Sequence, residues 1–199
     1  MSDTIVNNES SQIIRILYDG FDSLLPIALR ETSKGDAALL PERLRPKIDE
    51  MNEWIYAGVN NGVYRCGFAT TDEAYREALA ELYLSLERLN KVLGEPSHQP
   101  YLFGEHITEA DIRLYPTIVR YDVGYSRWLT RHDEKPRLIR SDFPNLHDYL
   151  RRIYWNQSKE PAYGAFKETT DFDKMAALIN RVPGMADRPP GAEPPILRP

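Results

Sequence analysis

Glu9 and Ser10 are adjacent, and an apolar helical pattern starts directly after them through Ile13, Ile14, Ile16 and Leu17. A helix N-terminus presents unpaired amides and a partial positive charge, so the Ser10 amide and hydroxyl can hold a carboxylate while Glu9 holds an ammonium group. Together they can read the head group of an α-amino acid; equally, the two residues can do no more than cap the helix. Tyr56, in Asn52-Glu53-Trp54-Ile55-Tyr56, is the second candidate, because a phenol on a rigid helix at the rim of a cleft can donate its proton to a leaving group or an oxyanion. A core or interface tyrosine is the alternative reading in a chain with 12 tyrosines. Tyr115, Tyr121 and Tyr125 fall on one predicted helix. Their spacing of four puts Tyr121 and Tyr125 on a shared face, from which they can flank Tyr56 across a bundle groove, and aromatic packing explains the same spacing.

Other reactive side chains point to little chemistry. Cys66 is the one cysteine, follows a turn, and lies outside any Cys-x-x-Cys or helix-opening Cys-Pro arrangement that would lower its pKa, so it reads as an inert thiol. A single cysteine excludes an internal disulfide framework and fits a reducing compartment. His98, His106, His132 and His147 have no ligand-type spacing with carboxylates or the cysteine, so no metal is expected. Gly-rich phosphate loops and nucleophile elbows are absent. Asp111 beside Glu109 invites an acid role, yet Thr108 to Asp111 reads as a capping box, with Ile107 as a staple on Ile112.

These residues need helices to hold them, and the apolar period is helical nearly everywhere. Between Asp72 and Leu93 the apolar residues Ala74, Ala78, Leu82, Leu86, Leu89 and Leu93 draw one stripe, with Thr71 as N-cap and Gly94 beyond the end. An earlier helix is predicted from about Pro41 to Asn60, with Ile48, Met51, Ile55, Val59 and Val63 on one face, broken by Asn61-Gly62. The helix opened by Thr108 carries Pro116, where a kink is expected. Further helices fit Phe143 to Trp155, with Pro144 near its start, and Thr170 to Arg181. Only the beginning differs: Asp3 to Val6 reads as a short strand, Asn7-Asn8 as a turn, and Glu9-Ser10-Ser11 as a helix start, like the end of an α/β unit.

Composition excludes several partner classes. Lys and Arg total 25 against 30 Asp and Glu, a net charge of -5, so the chain offers no basic footprint to nucleic acid or an anionic membrane. Mean hydropathy is -0.52 and no run of 18 apolar residues occurs, so no bilayer-spanning helix is expected. The polar stretch Met1 to Ser11 lacks the pattern of a secretory signal, and a cytoplasmic location is expected. Hydrophobic residues make up 42%, enough for a sizeable core.

Five stretches are specific enough to suggest a family: Asn7-Asn8-Glu9-Ser10-Ser11, Met51-Asn52-Glu53-Trp54-Ile55-Tyr56, Val59-Asn60-Asn61-Gly62-Val63-Tyr64, Gly67-Phe68-Ala69-Thr70, and Tyr101 to Gly104 continuing through Thr108 to Leu114. They resemble the glutathionyl-hydroquinone reductases, the Xi-class glutathione transferases related to the omega class. The similarity extends from about Thr4 to Phe172. It implies a thioredoxin-like domain for glutathione, an all-helical domain for an aromatic acceptor, and a homodimer. The family's Glu-Ser pair, which holds the γ-glutamyl head of glutathione, matches Glu9 and Ser10; its acid/base tyrosine is matched to Tyr56.

The implied reaction is reductive deglutathionylation of a glutathionyl-hydroquinone by a cysteine in a Cys-Pro motif upstream of the Glu-Ser turn, with a second glutathione resolving the mixed disulfide. Cys66 does not match that cysteine, so the family nucleophile is expected to precede residue 1. The family's late His-Tyr-rich stretch begins similarly at Asp171-Phe172-Asp173 and then diverges.

The expected fold class is therefore mainly α: a glutathione-transferase C-terminal helical bundle at 41–182, a remnant of the thioredoxin-like domain at 1–30, a linker at 31–40 and a Pro-rich tail at 183–199. The expected function is a glutathione transferase of the hydroquinone-reductase type, inactive as a thiol reductase in this chain alone, with glutathione as co-substrate and no metal. A non-catalytic ligand-binding or dimerisation module is the alternative.

Overall fold

In a computed structural model of the chain, residues 5, 7–130, 135–158 and 164–181 are described. The helices among them are α1 (Ser10–Arg15), α2 (Arg45–Ile55), α3 (Gly62–Phe68), α4 (Asp72–Val92), α5 (Glu109–Tyr121), α6 (Ile139–Asp142), α7 (Pro144–Trp155), α8 (Ala165–Glu168) and α9 (Phe172–Asn180). No β-strand occurs among the described residues; Tyr101 and Gly104 form one isolated antiparallel bridge. The strand expected at 3–6 and the tail at 183–199 lie outside the described residues, apart from Ile5.

The long stripe is α4. Thr71 caps it by accepting the Ala74 amide at 3.2 Å, and Ala78, Leu82, Leu86, Leu89 and Leu93 are all 3% exposed or less. The stripe's first member differs: Ala74 is exposed and Tyr75 fills the core one position later. The capping box of α5 is present in both directions, with the Thr108 amide donating to Asp111 Oδ2 at 2.8 Å. Asp111 also accepts the Leu102 amide and the Tyr149 hydroxyl, so the start of α5 is tied to a preceding loop and to α7. Burial raises its pKa in spite of those bonds. Pro116 sits inside α5, which continues to Tyr121.

The helix expected from Pro41 to Asn60 is three pieces: a 3-10 turn at Glu42–Leu44, α2, and a π-helical turn at Tyr56–Asn60. Ile48, Ile55, Val59 and Val63 are buried as expected, and Met51 is half-buried. Asn61-Gly62 does not break the chain. Asn61 keeps helical angles (φ -85°, ψ -24°) and α3 begins at once, because Gly62 lies against α4, where a Cβ would meet Leu82 Cδ1 at 3.3 Å.

The core sits where α3 and the π-turn pack on α4, α2 on α5, and α4 and α5 on α7. From α7, Leu146, Tyr149, Leu150 and Ile153 are each 0% exposed. Each large apolar side chain so buried contributes about 1.5–3 kcal/mol.

Candidate functional site

Glu9 and Ser10 open α1 on an exposed stretch. Neither acts as a side-chain cap. Instead Asn7 Oδ1 accepts the Glu9 amide at 2.8 Å, and the Glu9 carbonyl accepts the amides of Gln12 and Ile13 at 3.0 and 2.9 Å. The Glu9 carboxylate and Ser10 hydroxyl thus stand at the open end of the helix, where the first amides point outward. That geometry suits an ammonium on Glu9 and a carboxylate on Ser10.

Tyr56 begins the π-turn, and its carbonyl accepts the Asn61 amide at 2.8 Å, the widened i to i+5 bond of that turn. Tyr56 is 55% exposed. The turn is held from both sides. Asn60 Nδ2 donates to the Arg113 carbonyl on α5 at 2.8 Å. On the other side Gly58 faces α4 so closely that a Cβ would lie 2.1 Å from Ser85 Oγ.

Two turns further, Tyr64 stands on α3, 42% exposed. Its hydroxyl shares a 2.9 Å hydrogen bond with that of Tyr125, and its ring meets Tyr125 edge-on at 5.5 Å and Trp128 at 5.7 Å. Phe68, 63% exposed, packs on Trp128 at 5.6 Å. Trp128 in turn packs closely on α3 at Gly67, where a Cβ would be 2.4 Å from the indole. The result is an aromatic wall with a buried base, Tyr125 and Trp128, and an open rim, Tyr64 and Phe68. Burial and the Tyr64 hydroxyl hold the Tyr125 phenol well above its ordinary pKa, so it stays protonated.

The pairing expected of Tyr121 and Tyr125 is corrected. α5 ends at Tyr121, and Tyr125 opens a separate 3-10 turn, Tyr125–Leu129, so the two do not share a helical face. Tyr121 is 0% exposed, with a hydroxyl that meets no partner among the described residues and a phenol pushed far up by burial. It is a core residue and borders no groove. Tyr115 is also buried, its hydroxyl donating to the Phe166 carbonyl at 3.1 Å. Cys66 is 0% exposed within the core. His132 lies outside the described residues, and among those described no group of three or more metal-type donors occurs.

Tyr64 and Phe68 stand in the quoted motifs, yet reading Asn61-Gly62 as a break hides their place beside Tyr56 and Asn60. Tyr56, Asn60, Tyr64 and Phe68 are spaced by four, and that spacing becomes one face only if the helix continues. Glu109 carries no sequence signal beyond its place at the start of α5. It is 1% exposed, and Arg15 grips it through Nε and Nη2 at 2.9 Å each. Burial opposes its charge, but Arg15 and the Tyr18 hydroxyl outweigh this and hold its pKa below the ordinary range.

Residues 72–152 match the family model described as glutathione S-transferase, C-terminal domain. The chain is 47% identical over 172 residues to glutathionyl-hydroquinone reductase YqjG of Escherichia coli, covering 86% of this chain and 46% of that protein. Among solved structures, the Xi glutathione transferase ECM4 from Saccharomyces cerevisiae in complex with glutathione aligns with a TM-score of 0.80 at 32% identity, covering 98% of this chain and 60% of that one. A putative glutathione S-transferase from Corynebacterium glutamicum aligns with a TM-score of 0.69 at 31% identity, covering 100% of this chain and 67% of that one. The chain spans about half the length of the curated relatives it matches. With its helical bundle, its capping box at Thr108 and these matches, the chain belongs to the glutathione S-transferase family, among its Xi-class and glutathionyl-hydroquinone reductase members.

Proposed function

We propose that the chain supplies the acceptor site and the γ-glutamyl part of the glutathione site for glutathione-dependent reductive deglutathionylation of aromatic hydroquinone conjugates. The observation that carries this reading is the aromatic wall of Tyr64, Phe68, Tyr125 and Trp128, whose open rim suits a flat aromatic ring. A relative solved with glutathione bound supports the co-substrate. Glu9 and Ser10 hold the γ-glutamyl head, Glu9 the ammonium and Ser10 the carboxylate.

In the reaction a cysteine thiolate attacks the glutathione sulfur of the conjugate. The bond between sulfur and the ring carbon breaks, its electron pair stays on the carbon, and a tyrosine hydroxyl delivers the proton there. A second glutathione thiolate then resolves the mixed disulfide as oxidised glutathione. Cys66 is buried in the core, so the attacking thiolate comes from outside these residues. Tyr56 holds the proton-donor role by resemblance. Tyr64 competes for it on geometry, because its ring is fixed against the wall and its hydroxyl is aimed by Tyr125, whereas a donor must be held at a set position. The assembly is a homodimer acting in the cytoplasm.

Calorimetric titration with glutathione and with a hydroquinone thioether tests the reading. Glutathione binding abolished by Ser10→Ala, and thioether binding weakened by Trp128→Ala, are expected. Thioether binding without any response to glutathione overturns the glutathione site and leaves a ligand-binding module. Mixed with a separate thiol donor, Tyr64→Phe and Tyr56→Phe assign the acid by which of them slows turnover. The isolated chain is expected to show no turnover, and turnover that survives Cys66→Ser overturns the mechanism.

A further inference from the structure

α1 carries the Glu9-Ser10 end, yet apolar packing does not hold it. Neither α1 nor the π-helical turn that continues it, Ile16–Gly20, has a buried residue. Ile13, Ile16 and Leu17 are 37%, 43% and 60% exposed. The half-buried side chains are Ser11, Ile14, Arg15 and Tyr18, one face at helical spacing. Two of these four end on the same carboxylate. Glu109 accepts Arg15 Nε and Nη2 at 2.9 Å each, the Tyr18 hydroxyl, Asn52 Nδ2 at 3.2 Å and Arg113 Nη1 at 3.3 Å. Arg15 reaches Asp49 on α2 at 2.5 Å as well. The Glu109 amide donates to the Leu39 carbonyl at 2.7 Å.

That carboxylate sits at the first residue of α5, made rigid by the capping box one position earlier. One turn along, the Arg113 carbonyl accepts Asn60 Nδ2 and so fixes the π-turn that bears Tyr56. A single turn of α5 therefore grips both the helix that presents Glu9 and Ser10 and the turn that leads into the tyrosine face. A two-pronged guanidinium to carboxylate contact fixes orientation as well as distance, which a lysine ammonium does not.

We propose that Arg15 and Glu109 are a positioning pair that holds the Glu9-Ser10 end of α1 at a fixed offset from the tyrosine face, so that one bound conjugate reaches both. The role given to this offset rests on reading Glu9 and Ser10 as the glutathione site. Its chemistry is separable: the pair touches no ligand and acts through α1. A helix of six residues does not persist alone, so α1 order depends on this grip.

The test uses the whole chain with Glu109→Gln and Arg15→Lys. Amide hydrogen exchange is read for α1 against α4, and calorimetry gives the affinities for glutathione and for a hydroquinone without the peptide. Glu109→Gln is expected to erase α1 protection and to weaken glutathione binding about tenfold or more, with α4 protection and hydroquinone affinity unchanged. Arg15→Lys, which keeps the charge and gives up the fork, is expected to fall between wild type and Glu109→Gln. It also keeps the test open if Glu109→Gln fails to fold. Wild-type α1 protection and glutathione affinity in both variants overturn the pair; so does an equal loss of both affinities together with α4 protection, which marks a purely structural role. A wild-type chain that binds no glutathione overturns the Glu9-Ser10 reading instead, while α1 exchange still decides whether the pair holds the helix.

Discussion

The stretch before residue 40 and the bundle from α2 to α7 are held by opposite kinds of force. In the bundle, stripes of leucine and isoleucine interlock and leave buried side chains at or near 0% exposure. In the early stretch the ties are polar. Asp22 accepts the Glu31 amide at 2.6 Å and the Thr32 hydroxyl at 2.7 Å, Glu31 accepts the Leu39 amide at 2.7 Å, and Arg15 grips Glu109. Many of its large apolar residues face outward instead: Leu17, Phe21, Leu24, Ile27 and Leu29 are each more than half exposed. Burial makes a region self-supporting, whereas a polar net positions a segment whose apolar face is left uncovered in this chain.

Truncating one side chain in each region tests the contrast with the largest effect. Leu82→Ala, at 0% exposure on α4, is expected to lower unfolding stability by about 2–5 kcal/mol. Leu17→Ala, at 60% exposure, is expected to change it by less than about 0.5 kcal/mol. Denaturant unfolding of both variants checks this, and similar losses would break the comparison. Next comes Gly67→Ala. Its Cβ would lie 2.4 Å from the Trp128 ring, so the wall must shift, at an expected cost of about 1–3 kcal/mol. Trp128 fluorescence, read against a Trp128→Phe reference, reports that shift.

The same contrast explains what the sequence makes legible. Repeating apolar periods write the bundle directly: α4, α7 and the capped start of α5 follow from spacing and caps. Polar positioning has no period. Glu109 looks like an ordinary first-turn acid until folding brings Arg15 to it from a distant stretch of the chain. Local rules also fail where tertiary packing overrides them. Asn61-Gly62 carries a turn signature, but Gly62 serves close packing on Leu82, and the helix that continues puts Tyr64 on the candidate face. Conversely, Tyr121 and Tyr125 obey helical spacing in sequence, but the helix ends between them: Asp122 keeps helical angles, while Gly124 (φ -134°, ψ -71°) leaves them just before Tyr125 opens its own turn. The site was visible as motifs; its geometry depends on where helices continue and stop.

Acid should separate α1 and the Asp22 turn from the buried carboxylates of the bundle core by sign. In the early stretch Asp22, through the Thr32 hydroxyl, is held below the ordinary carboxylate range; so is Glu109, the α5 residue on which α1 docks, where Arg15 and Tyr18 outweigh burial. A depressed folded pKa gives stability that is present above the unfolded value and lost as pH falls through the folded one. In the bundle, burial raises Asp111 and Asp122. Their sign is reversed: what they contribute is complete below the unfolded value and is lost as pH rises through the folded one. Below about pH 4, the ordinary carboxylate range, α1 and the Asp22 turn are expected to lose exchange protection while α4 and α7 keep it. Exchange measured at neutral and acid pH, corrected for intrinsic rates, checks this; loss of α4 first would reverse the comparison.

An expected stability change as small as that of Leu17→Ala is the most informative about function. A serine that caps a helix contributes about 0.5–2 kcal/mol, lost on replacement by alanine. Ser10 makes no such bond: the N-cap position is Glu9, and neither side chain closes the helix end. Ser10→Ala is therefore expected to change unfolding stability by less than about 0.5 kcal/mol and to abolish glutathione binding in the same preparation. A stability loss in the capping range with unchanged glutathione affinity would return Glu9 and Ser10 to plain helix-starting residues. The expected split, stable protein and lost ligand, arises only if the open end of α1 is reserved for something outside the chain.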